Sequence, residues 1–126
     1  MVNILVIDDD TNFLNYMVTM LSREGFNVVG AGDGYTGIAL CLEHKPEVVI
    51  TDICMPQKDG LATIHDLKEE FPELKIIAVS GWGYSHPGEY LPKAERLGAE
   101  YSFIKPFDRE DFLAAVKDLA GMTVDA

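Results

Sequence analysis

Apolar residues fall along this chain in two alternating textures. Short unbroken runs, such as Asn3-Ile4-Leu5-Val6-Ile7, read as strands buried on both faces. Between them lie stretches with apolar residues three and four apart, which read as helices with one buried face. The first run stops at three consecutive aspartates. Phe13, Leu14, Met17, Val18 and Leu21 then predict an amphipathic helix that stops at Arg23-Glu24-Gly25. Phe26 to Gly30 reads as a second strand. A second helix follows, capped by Asp33, carrying Ile38, Cys41 and Leu42 and ended by Pro46. Val48-Val49-Ile50-Thr51 is a third strand, closed by Asp52, and a turn-rich loop leads to a helix from about Gly60 to Phe71. Lys75 to Val79 is a fourth strand. Gly81 to Gly88, with three glycines, Trp82, Tyr84 and Pro87, reads as a loop, followed by a helix ending at Gly98. Ser102 to Ile104 is a short fifth strand. Asp108 caps a last helix with Phe112, Leu113, Val116 and Leu119 on one face.

Strands alternating with helices predict an α/β fold with a parallel sheet covered on both sides. Right-handed crossovers make it a doubly wound (βα)5 three-layer sandwich. At 126 residues and 48% apolar composition, residues 1–126 are expected to form a single globular domain. Acids outnumber bases 21 to 10, a formal charge of −11. Such a surface repels phosphate backbones and anionic lipid, so direct nucleic-acid or membrane binding is not expected. No apolar run approaches the ~20 residues of a membrane span, and no basic segment precedes the first apolar run as in a signal peptide. Two cysteines, Cys41 and Cys54, do not make a disulfide framework and suit a reducing cytoplasm.

In doubly wound folds the ligand site lies beyond the carboxyl ends of the strands. That rule gathers Asp8 and Asp9 after the first strand, Asp52 after the third, Ser80 after the fourth and Lys105 after the fifth onto one rim. Three neighbouring carboxylates need a counter-charge. A hard divalent cation supplies one, and Mg²⁺ suits oxygen ligands that leave room for water and a phosphate oxygen. Metal, ammonium and hydroxyl together suit a phosphoryl group, and a carboxylate can act as its nucleophile by forming an acyl phosphate. His44, His65 and His86 fall on helices or loops, away from the strand ends.

The residues carry a resemblance as well. Ile4-Leu5-Val6-Ile7-Asp8-Asp9-Asp10 is similar to the opening acidic pair of bacterial two-component response-regulator receiver domains. Asp52-Ile53-Cys54-Met55-Pro56-Gln57-Lys58-Asp59-Gly60 resembles that family's D-x-x-M-P-x-x-D-G segment, Ser80 stands where the family has Ser or Thr, and Lys105-Pro106-Phe107 resembles its K-P-F, with Gly98-Ala99 before it. The match spans essentially the whole chain and is closest to the stand-alone, chemotaxis-regulator-like type. It implies a flavodoxin-like sheet in the order 2-1-3-4-5. It implies that Asp52 accepts phosphate from a phosphohistidine on a sensor histidine kinase or phosphotransfer protein. Asp9 would ligate Mg²⁺ directly, Asp8 directly or through water, and Asp52 and the Cys54 backbone carbonyl would be further ligands. Lys105 would pair with Asp52 and the phosphate, with a cis Lys105–Pro106 bond fixing where it points, and Ser80 would move toward the phosphate. The family usually has an aromatic residue three before the lysine; here that position is Ser102, between Tyr101 and Phe103. Trp82, Tyr84 or Tyr90 are candidates to take over part of its work.

The chain ends 21 residues past Lys105, room for one helix, so the reading is a cytoplasmic receiver with no output domain. Output would pass to an unknown downstream protein through the surface of the fourth helix, fifth strand and fifth helix. An enzyme reading competes with it, since Asp8-x-Asp10 superficially fits the D-x-D nucleophile motif of haloacid-dehalogenase-type phosphatases. Asn12 stands against it, where Thr or Val is typical, as does the lack of room for a cap domain. A pseudo-receiver that keeps the fold and ignores phosphate is the third reading, and Ser102 leans that way. Among the remaining candidates, Asp10 and Asp59 read as helix caps, Cys41 and His44 as packing and surface, and the Cys54 thiol as facing the site rim.

Overall fold

A computed structural model of the protein describes residues 2–53, 60–81 and 87–121. Five strands, β1 (Asn3–Ile7), β2 (Asn27–Ala31), β3 (Val48–Asp52), β4 (Lys75–Ser80) and β5 (Tyr101–Ile104), alternate with five helices. The helices are α1 (Thr11–Arg23), α2 (Gly34–His44), α3 (Gly60–Glu70), α4 (Pro87–Leu97) and α5 (Arg109–Leu119). All strand pairs are parallel, in the order β2-β1-β3-β4-β5. This is the doubly wound sandwich expected from the alternation, in the flavodoxin-like strand order that the family resemblance implies.

The central strands β1, β3 and β4 are mostly apolar and buried because both faces of the sheet are covered there, while the edge strands β2 and β5 are only partly buried. Side chains alternate across the pleat. Leu5, Ile7, Val49, Ile76 and Ala78 enter one core with Ile64 and Leu67 of α3 and Leu91 and Ala94 of α4. Ile4, Val6, Ile50, Ile77 and Val79 enter the other with Met17 and Leu21 of α1 and Phe112 and Val116 of α5. Each fully buried Leu, Ile or Phe contributes about 1.5–3 kcal/mol of burial free energy, so the two cores dominate stability. Acids set the helix starts. Asp10 accepts from the Asn12 and Phe13 N–H groups, Asp33 from Thr36 and Asp108 from Glu110, and caps of this kind contribute about 1 kcal/mol each.

The boundaries differ from the sequence reading in one informative place. Pro87 and Gly88 belong to α4 rather than to the preceding loop. Proline needs no N–H partner in the first helical turn and its φ is already helical, so a proline read as loop punctuation can equally open a helix. The expected tip of that loop, with Trp82, Tyr84 and His86, lies outside the described residues, as do Cys54 and the Asp59 cap.

The register is what builds a rim. Ile7 pairs with Thr51, Asp52 with Val79, and Ser80 with Ile104. Asp8, Asp52, Ser80 and Lys105 therefore arrive at about the same level along one edge of the sheet, with Asp8 and Asp52 at its centre, where the crossovers diverge to opposite faces.

Candidate functional site

Each side chain at this rim is placed by a local constraint. Asp8 is 2% exposed. Its N–H donates to the Ala31 carbonyl, and its Oδ1 accepts the Asp10 N–H at 2.9 Å. Asp9 stands exposed above it. Asp52 is buried, and Ile53 N–H extends the β4 ladder by donating to Val79. Behind it, α3 begins at Gly60, whose N–H donates to the Ile53 carbonyl at 3.0 Å. A Cβ on Gly60 would lie 2.2 Å from the Asp52 carbonyl oxygen, so only glycine allows this approach. One oxygen from each of Asp8, Asp9 and Asp52 lies within 4.8 Å of the others. Among the described residues no other such trio of potential metal ligands occurs.

Lys105 supplies the counter-charge. Its Nζ donates to Asp8 Oδ2 at 2.7 Å and to Asp52 Oδ2 at 3.5 Å. The tighter contact is thus with Asp8 rather than with the expected partner Asp52. The Asp10 N–H holds Asp8 Oδ1, which leaves Oδ2 turned toward the lysine. Burial pushes the Asp8 carboxyl above its ordinary range, with the Asp9 charge adding to the rise; the Lys105 hydrogen bond and charge and the Asp10 N–H pull back without cancelling it. For Lys105 burial lowers the affinity for its proton, but the hydrogen bond it donates to Asp8 and the charges of Asp52 and Asp8 outweigh it, leaving the ammonium above its ordinary value. It is a cation at neutral pH. Its peptide bond to Pro106 is cis, and its N–H donates to the Ser80 carbonyl at 2.7 Å.

Ser80 is fully buried, and its Oγ has no hydrogen-bond partner. An unpaired buried hydroxyl costs about 1–3 kcal/mol. Ser80 thus carries an unsatisfied donor one residue before Gly81, part of the wall of an acidic pocket among the strand ends. That pocket has a volume of about 520 Å³, with Asp9, Asp52, Lys105, Phe13, Gly81 and Pro106 among its walls. Phe13 and Gly81 were not singled out from sequence. Phe13 looked like any core position of α1, and nothing local signals that its ring meets a lysine 92 positions later.

An all-oxygen set of three acids this close suits a hard cation such as Mg²⁺ better than a soft metal. The position of Ser102 is also defined: its Oγ donates to Glu95 Oε2 of α4 at 3.2 Å. Its neighbours diverge, Tyr101 donating to Asp118 of α5 at 2.7 Å and Phe103 packing on Phe107 and Phe112.

The sequence profile of the response regulator receiver domain matches residues 4–117. The chain belongs to the response regulator receiver family. This receiver is 34% identical over 122 residues to the probable transcriptional regulatory protein TcrX of Mycobacterium tuberculosis, a match covering 97% of this chain and 51% of TcrX. It is 30% identical over 115 residues to the transcriptional regulatory protein PdtaR of the same organism, covering 90% and 54% of the two chains. The receiver thus spans about half the length of these curated relatives. Among solved structures, a receiver domain protein of Clostridium thermocellum superposes with a TM-score of 0.88 at 27% identity, over 96% of this chain and 95% of that one. The receiver domain of NtrX from Brucella abortus does so at 0.87 and 29%, over 95% and 99%. The fold and the two-component family are thereby established for this receiver, and its acidic cluster is compatible with a metal site. No helix among the described residues is long and apolar enough to cross a membrane.

Proposed function

We propose that this receiver accepts a phosphoryl group on Asp52 from a phosphohistidine of a sensor histidine kinase or phosphotransfer protein. An Asp52 carboxylate oxygen forms the new O–P bond as the N–P bond of the donor breaks. The bonding pair stays with the imidazole nitrogen, which then takes a proton. The observation that carries this reading is the convergence of strand ends: Lys105 Nζ lies 3.5 Å from Asp52, Asp8 and Asp9 stand beside it, and the unpartnered Ser80 hydroxyl lies at the same rim. Lys105 holds a positive charge where the phosphoryl oxygens gather. Ser80 donates to one of them and exchanges an unpaired hydroxyl for a hydrogen bond. Asp8 and Asp9, with the Cys54 carbonyl as implied by the family resemblance, would hold Mg²⁺. When bound, the ion neutralises charge on the carboxylates and on the transferring group.

Both Asp8 oxygens are engaged, Oδ2 by Lys105 at 2.7 Å and Oδ1 by the Asp10 N–H at 2.9 Å, and Asp10 is the α1 cap, so the D-x-D phosphatase reading has little to work with. The surface carries a net charge of −11. We therefore assign the downstream partner as a protein rather than DNA contacted by this domain, although its curated relatives are named transcriptional regulatory proteins. Phosphorylation would shift an equilibrium between two forms of the α4–β5–α5 surface, where Ser102 ties β5 to α4.

Intact-mass spectrometry after incubation with a small acyl-phosphate donor tests the reading. One phosphoryl group should appear on the wild type in Mg²⁺, and none in excess chelator or on Asp52→Asn. An unmodified wild type would count against it and favour a phosphate-independent module.

A further inference from the structure

Phe13 belongs to α1, yet its ring is half-buried and forms part of the wall of the acidic pocket. Lys105 Nζ sits 3.9 Å from the centroid of that ring. Across from the ring, the lysine stem lies along Gly81, where a Cβ would stand 3.6 Å from Lys105 Cδ and 3.9 Å from Nζ. The ammonium is thus held between an aromatic face, a bare stretch of backbone and two carboxylates.

The attitude of the ring is set from behind. Phe107 meets Phe13 edge-on, with centroids 6.1 Å apart and planes at 86°. Phe107 in turn stacks on Phe112 at 4.6 Å and 19°, and Phe112 is fully buried. Tyr16 braces the outer side at 6.1 Å. This chain of rings links the α1/α5 core to the pocket and aims one π-face at the lysine. A cation is drawn to the negative face of an aromatic ring, and more strongly where water is scarce. The Lys105 side chain is only 14% exposed.

We infer that Phe13 is a positioning residue for Lys105, its ring face holding the ammonium over the strand-end carboxylates. Asp8 and Asp52 are charges that bound cations or a phosphoryl group would engage. The ring is a partner of Lys105 whose attraction survives that change. Its consequence for catalysis rests on the proposed role of Asp52; the holding of the lysine does not.

The test separates the two. In metal-free full-length protein, the Lys105 ε-methylene protons should be shifted upfield by the Phe13 ring current. The shift should persist in Phe13→Tyr and vanish in Phe13→Leu, which keeps apolar volume but has no π-face. The maximal rate of Mg²⁺-dependent phosphate uptake from a small acyl-phosphate donor should fall about threefold to tenfold in Phe13→Leu and stay within about twofold in Phe13→Tyr. Phe13→Met replaces Phe13→Leu if the latter loses its cooperative melt. An unshifted Lys105 signal in the wild type, or Leu and Tyr variants with equal signals and rates, would reduce Phe13 to packing and overturn the inference. A wild type that shows the shift but takes up no phosphate would sink the phosphoacceptor reading while leaving the positioning of the lysine intact.

Discussion

Replacing Lys105 with Met removes the charge that balances the acidic trio while keeping most of the apolar stem. At an effective dielectric of about 20, the contacts at 2.7 and 3.5 Å correspond to gross attractions of about 6 and about 5 kcal/mol. Against them, three carboxylate pairs with oxygens within 4.8 Å repel by at least about 3 kcal/mol each. The lysine thus roughly cancels the repulsion of the cluster. Solvation of the exposed Asp9 and proton uptake by Asp8 will absorb much of the loss. Breaking a largely buried pair costs about 3–5 kcal/mol, and a site opening to solvent belongs at the lower end, about 3 kcal/mol. For a domain of this size that is a drop of about 10 °C in Tm.

The assay is urea unfolding of wild type and Lys105→Met, in chelator and in Mg²⁺, from pH 5 to pH 8. In chelator at neutral pH the variant should be less stable by about 3 kcal/mol. Mg²⁺ at a hundredfold excess over its dissociation constant should restore about 2–3 kcal/mol, since a bound dication replaces the missing charge. The pH dependence has a definite sign. Burial raises the Asp8 pKa in the folded state above 3.8, so the fold binds that proton more tightly than the unfolded chain does. The Asp8 contribution to stability therefore falls as pH rises through the window from 3.8 to the folded value and is regained on acidification. Without Lys105 the upper edge of the window rises while the lower edge stays at 3.8, and the gap between variant and wild type should narrow toward pH 5. Equal stabilities in chelator at pH 7, or a gap that does not change with pH, would refute the argument that Lys105 is held by charge balance.

Two further substitutions probe the placement of the other rim residues. Ser80→Ala removes an unpaired buried hydroxyl and should leave stability in chelator unchanged or raised by about 1 kcal/mol, while slowing phosphate uptake; a loss of more than about 1 kcal/mol in chemical denaturation would show that the hydroxyl has a partner in the resting protein. Gly60→Ala drives a methyl group into the backbone behind Asp52 and should cost at least about 2 kcal/mol; a neutral effect would mean that α3 does not start against the Asp52 carbonyl.

Much of the rim was legible in sequence because strand ends in a doubly wound sheet share one edge. Asp8 and Asp9 after one apolar run, Asp52 after another and Lys105 after a third needed only that topology to be placed together. Contacts that depend on tertiary packing were not legible. Periodicity marked Phe13 as an α1 core residue, and only the assembled α1/α5 layer turns its ring toward Lys105. The preference of Lys105 for Asp8 depends on how the Asp10 N–H turns the Asp8 carboxylate, which spacing does not reveal. Gly60 read as part of a turn signal, whereas its fixed requirement is the approach of α3 to the backbone of Asp52. Ser102 stood out as a departure from the family pattern, but its hydrogen bond to Glu95 spans two elements and could not be foreseen.

The central claim is that Asp52, and not Asp8 or Asp9, carries the phosphoryl group. Borohydride reduction of the phosphorylated protein converts an aspartyl phosphate to homoserine, which peptide mapping then locates. The account predicts homoserine at position 52 in the Mg²⁺-treated wild type and at neither position 8 nor position 9. Homoserine at position 8 or 9, or a phosphoryl adduct that yields none at position 52, would contradict it.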